Sequence, residues 1–150
     1  MQKRKYPEPK RWFPKNPHKY KGDVDNIWYR SSYELKYLKW LDTDPRVIEY
    51  NSEEIIVPYI SPIDNRWHKY YIDFWAKMKD KNGNINIYLI EIKPYHQTKP
   101  PEVKKRITKA YINEVATWGV NDAKWNAARA YCRQRNWKFL ILTEKELYGK

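Results

Sequence analysis

Residues 70–94 read YYIDFWAKMKDKNGNINIYLIEIKP, and their pattern decides the fold. Ile72, Phe74, Ala76 and Met78 alternate with Tyr71, Asp73, Trp75 and Lys77, the period of a strand with two distinct faces. Asp73 interrupts the aromatic face. The connection from Lys79 to Asn84 carries Asn82-Gly83, the pair that most readily supplies the positive φ angles of a tight hairpin turn. The second arm, Ile85 to Lys93, is apolar on both parities through its centre, as a strand covered on both faces must be. A hairpin with a central second strand is the expectation.

In that strand Glu91 and Lys93 project from one face and Ile90 and Ile92 from the other. In-register pairing brings Asp73 onto the face of Glu91. Carboxylates gathered in a partly buried place repel one another and are poorly solvated, so the arrangement calls for a cation. Oxygen ligands suit a hard ion, Mg²⁺ or Mn²⁺. Lys93 would then stabilise phosphoryl charge or orient a metal-activated water. The same spacing also suits a Glu91–Lys93 ion pair at a sheet end with Asp73 as an edge residue, and spacing alone leaves both open.

Upstream, Arg30 to Leu41 has helical period. Ser31 and Glu34 match a capping box. Tyr37, Leu38 and Leu41 stand at i+3, i+4 and i+7 from Glu34, which also places this carboxylate on the inward stripe, within reach of the Asp73–Glu91 site. Asp44-Pro45 stops the helix, and Val47 to Ile60 reads as the next strand, with Pro58 at an edge or end. Downstream, a loop from Pro94 to Pro101 holds His96, which reads as a surface residue. Helical spacing then runs from Glu102 to Trp118 with Gly119 as its stop, and Asn121 caps a second helix through Arg135. Trp137 to Thr143 is a final strand, followed by a short charged tail.

A chain of 150 residues makes one domain with a single real core. Its net charge of +12, from 30 Lys and Arg against 18 Asp and Glu, implies a polyanionic partner, with nucleic acid the default. The single cysteine, Cys132, excludes an intrachain disulfide, and with only His18, His68 and His96 beside it no structural zinc site has its ligands. No apolar run is long enough to span a membrane and no signal peptide is visible, so a soluble protein that stays where it is made is expected.

Residues 1–22 form a distinct basic arm ahead of a domain at 23–150. Eight Lys and Arg side chains there face Glu8 alone, and Pro7, Pro9, Pro14 and Pro17 forbid a regular helix. Tyr6, Trp12, Phe13 and Tyr20 interleave with the charges. An extended segment of this composition suits tracking a phosphate backbone and stacking on bases, or a solubilising tail. Lys3, Arg4, Lys5, Lys10 and Arg11, with Arg30, Lys99, Lys104 and Lys124, are the candidate DNA contacts; a charged helix exterior is the other reading of the last three.

The order helix, strand, strand, strand, helices, strand resembles the PD-(D/E)XK nucleases. Glu91-Ile92-Lys93 fits the E-x-K half of their signature, while Ile72 stands before Asp73 where the signature has proline. The segment RSSYELKYL, residues 30–38, is similar to the first helix of the Tn7-type transposase endonucleases, and so is the stretch from Lys124 to Cys132 with Trp137 to Glu144. The resemblance covers Trp28 to Glu144, and the whole chain, arm included, resembles the family of head-completion nucleases of T4-type tailed phages.

It implies an α/β fold: a single restriction-endonuclease-like domain with an αβββαβ core, its mixed central sheet flanked by helices. It also implies a Mg²⁺-dependent deoxyribonuclease of endonuclease type, Mn²⁺ serving as well. Glu34, Asp73, Glu91 and Lys93 would be catalytic, the first three ligating metal together with the Ile92 backbone carbonyl. The implied partners are DNA and phage portal or neck proteins, with no membrane and no small-molecule cofactor, in the host cytoplasm during assembly and possible retention in the virion. A structural adaptor or plug at the portal vertex with a silent site is the alternative.

Overall fold

The computed structural model describes residues 8–149. The Asn82-Gly83 turn closes as expected: Gly83 adopts φ 79°, and the Asp80 carboxylate accepts hydrogen bonds from the N–H groups of Asn82 and Asn84, each at 2.9 Å. In chain order the elements are β1 (Lys10–Arg11), β2 (Trp28–Tyr29), α1 (Ser32–Thr43), β3 (Val47–Ser52), β4 (Ile56–Ile60), β5 (Trp67–Tyr71), β6 (Phe74–Lys79) and β7 (Ile85–Ile92). After them come α2 (Lys109–Arg135), β8 (Lys138–Leu142) and α3 (Glu144–Tyr148), the last opened by a capping box between Thr143 and Glu146.

Four strands form the central sheet in the order β3-β6-β7-β8, with β7 and β8 parallel and the other pairs antiparallel. The second arm of the hairpin is therefore interior, and its two apolar parities have separate destinations. Ile90 and Ile92 join Phe74, Ala76 and Tyr50 beneath Tyr37, Leu38 and Leu41 of α1. Ile87 and Leu89 join Trp75, Phe139 and Ile141 beneath Trp125, Ala128 and Cys132 of α2. Each such side chain contributes about 1.5–3 kcal/mol on full burial, so both helices are fixed by their sheet contacts more than by local propensity. The αβββαβ core is α1, β3, β6, β7, α2 and β8, with β4 and β5 inserted as a separate antiparallel ribbon.

Three expectations are corrected. The stretch Val47 to Ile60 is two strands, because the backbone turns through a left-handed residue at Glu53, φ 57°, and β4 leaves the sheet to pair with β5. The stretch around Asp73 is likewise two strands, with Ile72 and Asp73 forming the bend between ribbon and sheet. The two helices expected on either side of Gly119 are one, α2, running 27 residues from Lys109. An interior glycine costs about 1 kcal/mol relative to alanine. That is less than the burial gained by a helix lying continuously across the ribbon and sheet through Trp118, Trp125, Ala128 and Cys132. Asn121 is accordingly buried inside the helix, and the cap is Thr108, whose hydroxyl accepts the Tyr111 N–H at 3.1 Å. Residues 102–107 stay outside the helix, where Val103 and Ile107 are exposed and have no core to enter.

From Glu8 onward the basic segment is laid against the domain. It is extended, as its prolines require, with β1 pairing β2 and one 3₁₀ turn at Pro17–Lys19. Trp12 and Tyr20, however, are buried with Tyr50 in the core under α1. The Asp42 carboxylate, 1% exposed, accepts the N–H groups of Lys15 at 2.9 Å and Asn16 at 3.2 Å and the Tyr50 hydroxyl at 2.9 Å. Lys19 closes the join by donating to the carbonyls of Asp42 and Asp44. Lys3, Arg4 and Lys5 lie outside the described residues.

Candidate active site

The β6–β7 ladder ends at Phe74 paired with Ile90, and there the Asp73 side chain takes over: its Oδ2 accepts the Ile92 N–H at 2.8 Å. Glu91 is the penultimate residue of β7, 7% exposed, and its Oε2 accepts the Tyr70 hydroxyl at 2.5 Å. Lys93 follows the strand, held by its own N–H donating to the Leu142 carbonyl, and its Nζ stands 3.7 Å from Glu91 Oε1. The same-face ion pair of Glu91 and Lys93, the feature named by the alternative to a metal site, is therefore formed, with Asp73 beside it.

Glu34 lies in the first turn of α1. Its N–H is capped by Ser31 Oγ at 3.1 Å, and its carboxylate turns back to accept the Arg30 N–H at 3.2 Å, one residue further out than a standard capping box. The cap expected at Ser31 is formed, and the Glu34 carboxylate also feels the field of Glu91.

The electrostatics bind the three acids into one group. Burial pushes the Asp73 carboxyl well above its ordinary value; Glu91 adds to the rise, the Ile92 N–H opposes it, and Glu34 raises it further. Burial likewise raises Glu34, against the Arg30 N–H, with Glu53 and Glu91 adding to the shift. Like charges in a half-buried cluster destabilise one another unless a proton or a cation intervenes. Among the described residues no three Asp, Glu, His or Cys side chains stand close enough together to hold a metal ion. Glu91 is engaged by Tyr70 and Lys93, and Glu34 by the Arg30 N–H. The donor set is nonetheless all oxygen and anionic, which fits a hard divalent ion.

Two participants escape the sequence pattern. Tyr70 is three residues before Asp73, the wrong parity for one continuous strand, and shares its site only because the chain bends at Ile72-Asp73. Glu53 reaches the cluster from the left-handed turn after β3 and forms a 2.9 Å ion pair with Arg30. The pair Glu53-Glu54 after Asn51-Ser52 was the available signal for a loop there.

The candidate DNA contacts are distributed unevenly. Lys124 stands over the rings of Tyr70 and Tyr59, at 5.5 and 5.8 Å, directly behind the Glu91 hydrogen bond. Lys10 and Arg11 are on β1, which pairs with β2 just before Arg30 and Glu34. Arg11 stacks on Phe13 and Trp28 and donates to the Asp25 carbonyl. Lys99 lies over Tyr95, and Lys104 pairs loosely with Glu114 at 3.9 Å. His96 is exposed at the rim of a cleft between the Tyr95–Thr98 turn and α2.

The αβββαβ order, with Asp73, Glu91 and Lys93 gathered where a hairpin strand meets a parallel neighbour, is that of a nuclease domain of the PD-(D/E)XK class. The family described as TnsA-like endonuclease N terminal matches residues 44–144, and the chain belongs to it. The match takes in Asp73, Glu91 and Lys93 and begins after α1, so Glu34 lies outside it. The chain is also 40% identical over 141 residues, 91% of either protein, to the head completion nuclease of Enterobacteria phage T4.

Proposed function

We propose that the chain is a metal-dependent deoxyribonuclease of phage head completion, with Asp73, Glu91, Lys93 and Glu34 as its active site. The nuclease class and the part in head completion rest on the family and on the identity with the T4 protein. The observation that carries the site is the placement of Asp73, whose Oδ2 accepts the Ile92 N–H at 2.8 Å, beside Glu91, whose Oε1 stands 3.7 Å from Lys93 Nζ; burial and the neighbouring carboxylates raise Asp73 and Glu34, a charge arrangement that a divalent cation relieves.

Glu34, Asp73, Glu91 and the Ile92 carbonyl would hold Mg²⁺ or Mn²⁺. The chemistry such an ion supplies is polarisation of the scissile phosphate and a lowered pKa for a bound water. In the hydrolysis this would serve, a water oxygen bonds to phosphorus and gives up a proton to solvent while the bond to the leaving deoxyribose oxygen breaks and that oxygen takes a proton from solvent. Lys93, loosely paired with Glu91 at 3.7 Å, is free to shift toward the attacking water or the extra negative charge on phosphorus. Tyr70 fixes one Glu91 oxygen, and the Ile92 N–H fixes Asp73. Lys10, Arg11, Arg30, Lys99, Lys104 and Lys124, with Lys3, Arg4 and Lys5, contact phosphates, making binding largely independent of sequence. The packaged DNA end, or a portal or neck protein at the same vertex, is the setting, reached from the host cytoplasm. No helix among the described residues is long and apolar enough to cross a membrane.

The test is cleavage of linear duplex and single-stranded DNA with Mg²⁺, Mn²⁺ or EDTA, beside Asp73→Ala from a parallel preparation. Metal-dependent cutting that the substitution lowers about a thousandfold or more, with DNA binding kept, is the expected result. Cleavage that survives the substitution would remove Asp73 from the site; DNA binding without cutting by either protein would favour an adaptor.

A further inference from the structure

The β4–β5 ribbon has two faces of unequal burial. Val57, Tyr59 and Tyr70 point inward and are buried with Trp125 and Ala128 of α2. On the outer face the register pairs Ile56 with Tyr71, Pro58 with Lys69 and Ile60 with Trp67. All six are exposed, Trp67 by 70% and Tyr71 by 51%. Along β5 this face presents ring, ammonium, ring: Trp67, Lys69, Tyr71. A tryptophan so exposed on a surface strand contributes little to folding, so its burial awaits something else.

We propose that this face is a base-stacking platform for an unpaired DNA strand leading into the active site. Three observations choose this occupant. Continuity comes first: Tyr71 is two residues from Asp73, and its neighbour Tyr70 donates to Glu91, so a strand lying along the ribbon ends at the carboxylates. Charge comes second: Arg66 and Lys69 flank the rings, and Asp64, the sole acid between Ile56 and Tyr71, is paired with His68 at 2.8 Å. Spacing is third. Four strand steps lead from Trp67 to Tyr71, which sets their backbone positions about 13 Å apart. Bases in a duplex are stacked about 3.4 Å apart, with no room for a ring between them. Rings so far apart serve separate, unstacked bases, with Lys69 between them for a phosphate. Pro58, Ile60 and Trp67 also border a shallow groove of about 410 Å³ against Ala127 and Tyr131, space for a base turned off the platform.

This inference deepens the proposed function, since it names the substrate form that the same site takes. Its test is kept apart from catalysis by working in EDTA. Fluorescence anisotropy would follow binding of a labelled twelve-residue oligothymidylate, an abasic strand of equal length and a blunt duplex to the full chain, Trp67→Ala, Tyr71→Ala and the double variant. Each substitution is expected to weaken oligothymidylate binding about tenfold, leaving abasic-strand and duplex binding within about twofold. Both residues are exposed, so thermal midpoints should not move. Unchanged oligothymidylate affinity, or equal losses on all three ligands, would overturn the platform. Intact DNA binding combined with failed head completion would assign the face to a protein partner and overturn it too. Cleavage surviving Asp73→Ala would sink the active-site assignment alone, because the binding result does not depend on it.

Discussion

Two aspartates, Asp42 and Asp73, show how one functional group serves opposite ends. Asp42 closes the join between the amino-terminal segment and α1: it is almost fully buried and receives two backbone N–H groups and the Tyr50 hydroxyl. Its charge is spread over these three donors. Asp73 receives one N–H, from Ile92, and otherwise faces Glu91 and Glu34, which with burial push its carboxyl upward. Folding gains from the first carboxylate and is taxed by the second. Stored electrostatic strain of this kind is common at functional sites, and the proposed metal would relieve it.

The contrast is open to direct attack. Asp42→Ala should be the most damaging change to the fold, leaving buried donors unpaired at a cost of about 3 kcal/mol, or roughly 10 °C in thermal midpoint for a domain this size. A drop no larger than that of a surface control would mean the clamp is not structural. Tyr70→Phe keeps the ring under Lys124 and removes the hydroxyl that holds Glu91. Metal affinity, read by isothermal titration, should weaken about tenfold, as for lost partners of metal ligands, with the midpoint little changed. Equal affinity would release Tyr70 from the site.

The smallest effect concerns pH. The folded-state pKa of Asp73 is raised, so between its unfolded and folded values the native protein binds the extra proton, and stability from this group falls as pH rises. It is fully present below the unfolded pKa and lost through the folded one. In EDTA the thermal midpoint of the natural protein should therefore drift downward with rising pH relative to Asp73→Asn, and saturating Mg²⁺ should remove the difference. Parallel profiles would mean that Asp73 carries no such shift.

The two regions also differ in how far the sequence discloses them. The hairpin, its central strand and the Ser31 cap depend on local pattern, and each stands where Asn82-Gly83, the two-parity run Ile85 to Ile92 and Ser31-x-x-Glu34 placed it. Glu91 and Lys93 share a face because a strand has period two. Asp73 reached the site by another route: a bend after Tyr71 ends the ribbon, and its side chain replaces a ladder bond. That bend is also what recruits Tyr70, invisible to alternation. Asp42 reads as one more polar residue near a helix end, because its partners at Lys15, Asn16 and Tyr50 are distant in sequence. Gly119 looked like a stop because local propensity weighs against it, and the packing of α2 across the ribbon and sheet outweighs that penalty. Trp12 and Tyr20 looked like arm residues by their basic neighbours, yet the core under α1 takes their rings.

The most direct measurement compares Asp73→Asn with the natural protein from matched preparations, thermal midpoint in EDTA beside DNA cleavage in Mg²⁺. The account expects a midpoint equal to or above that of the natural protein at neutral pH and cleavage lowered about a thousandfold. A midpoint that falls as Asp42→Ala does, or cleavage that persists, would contradict it: Asp73 would then be a second structural carboxylate and the chemistry would lie elsewhere.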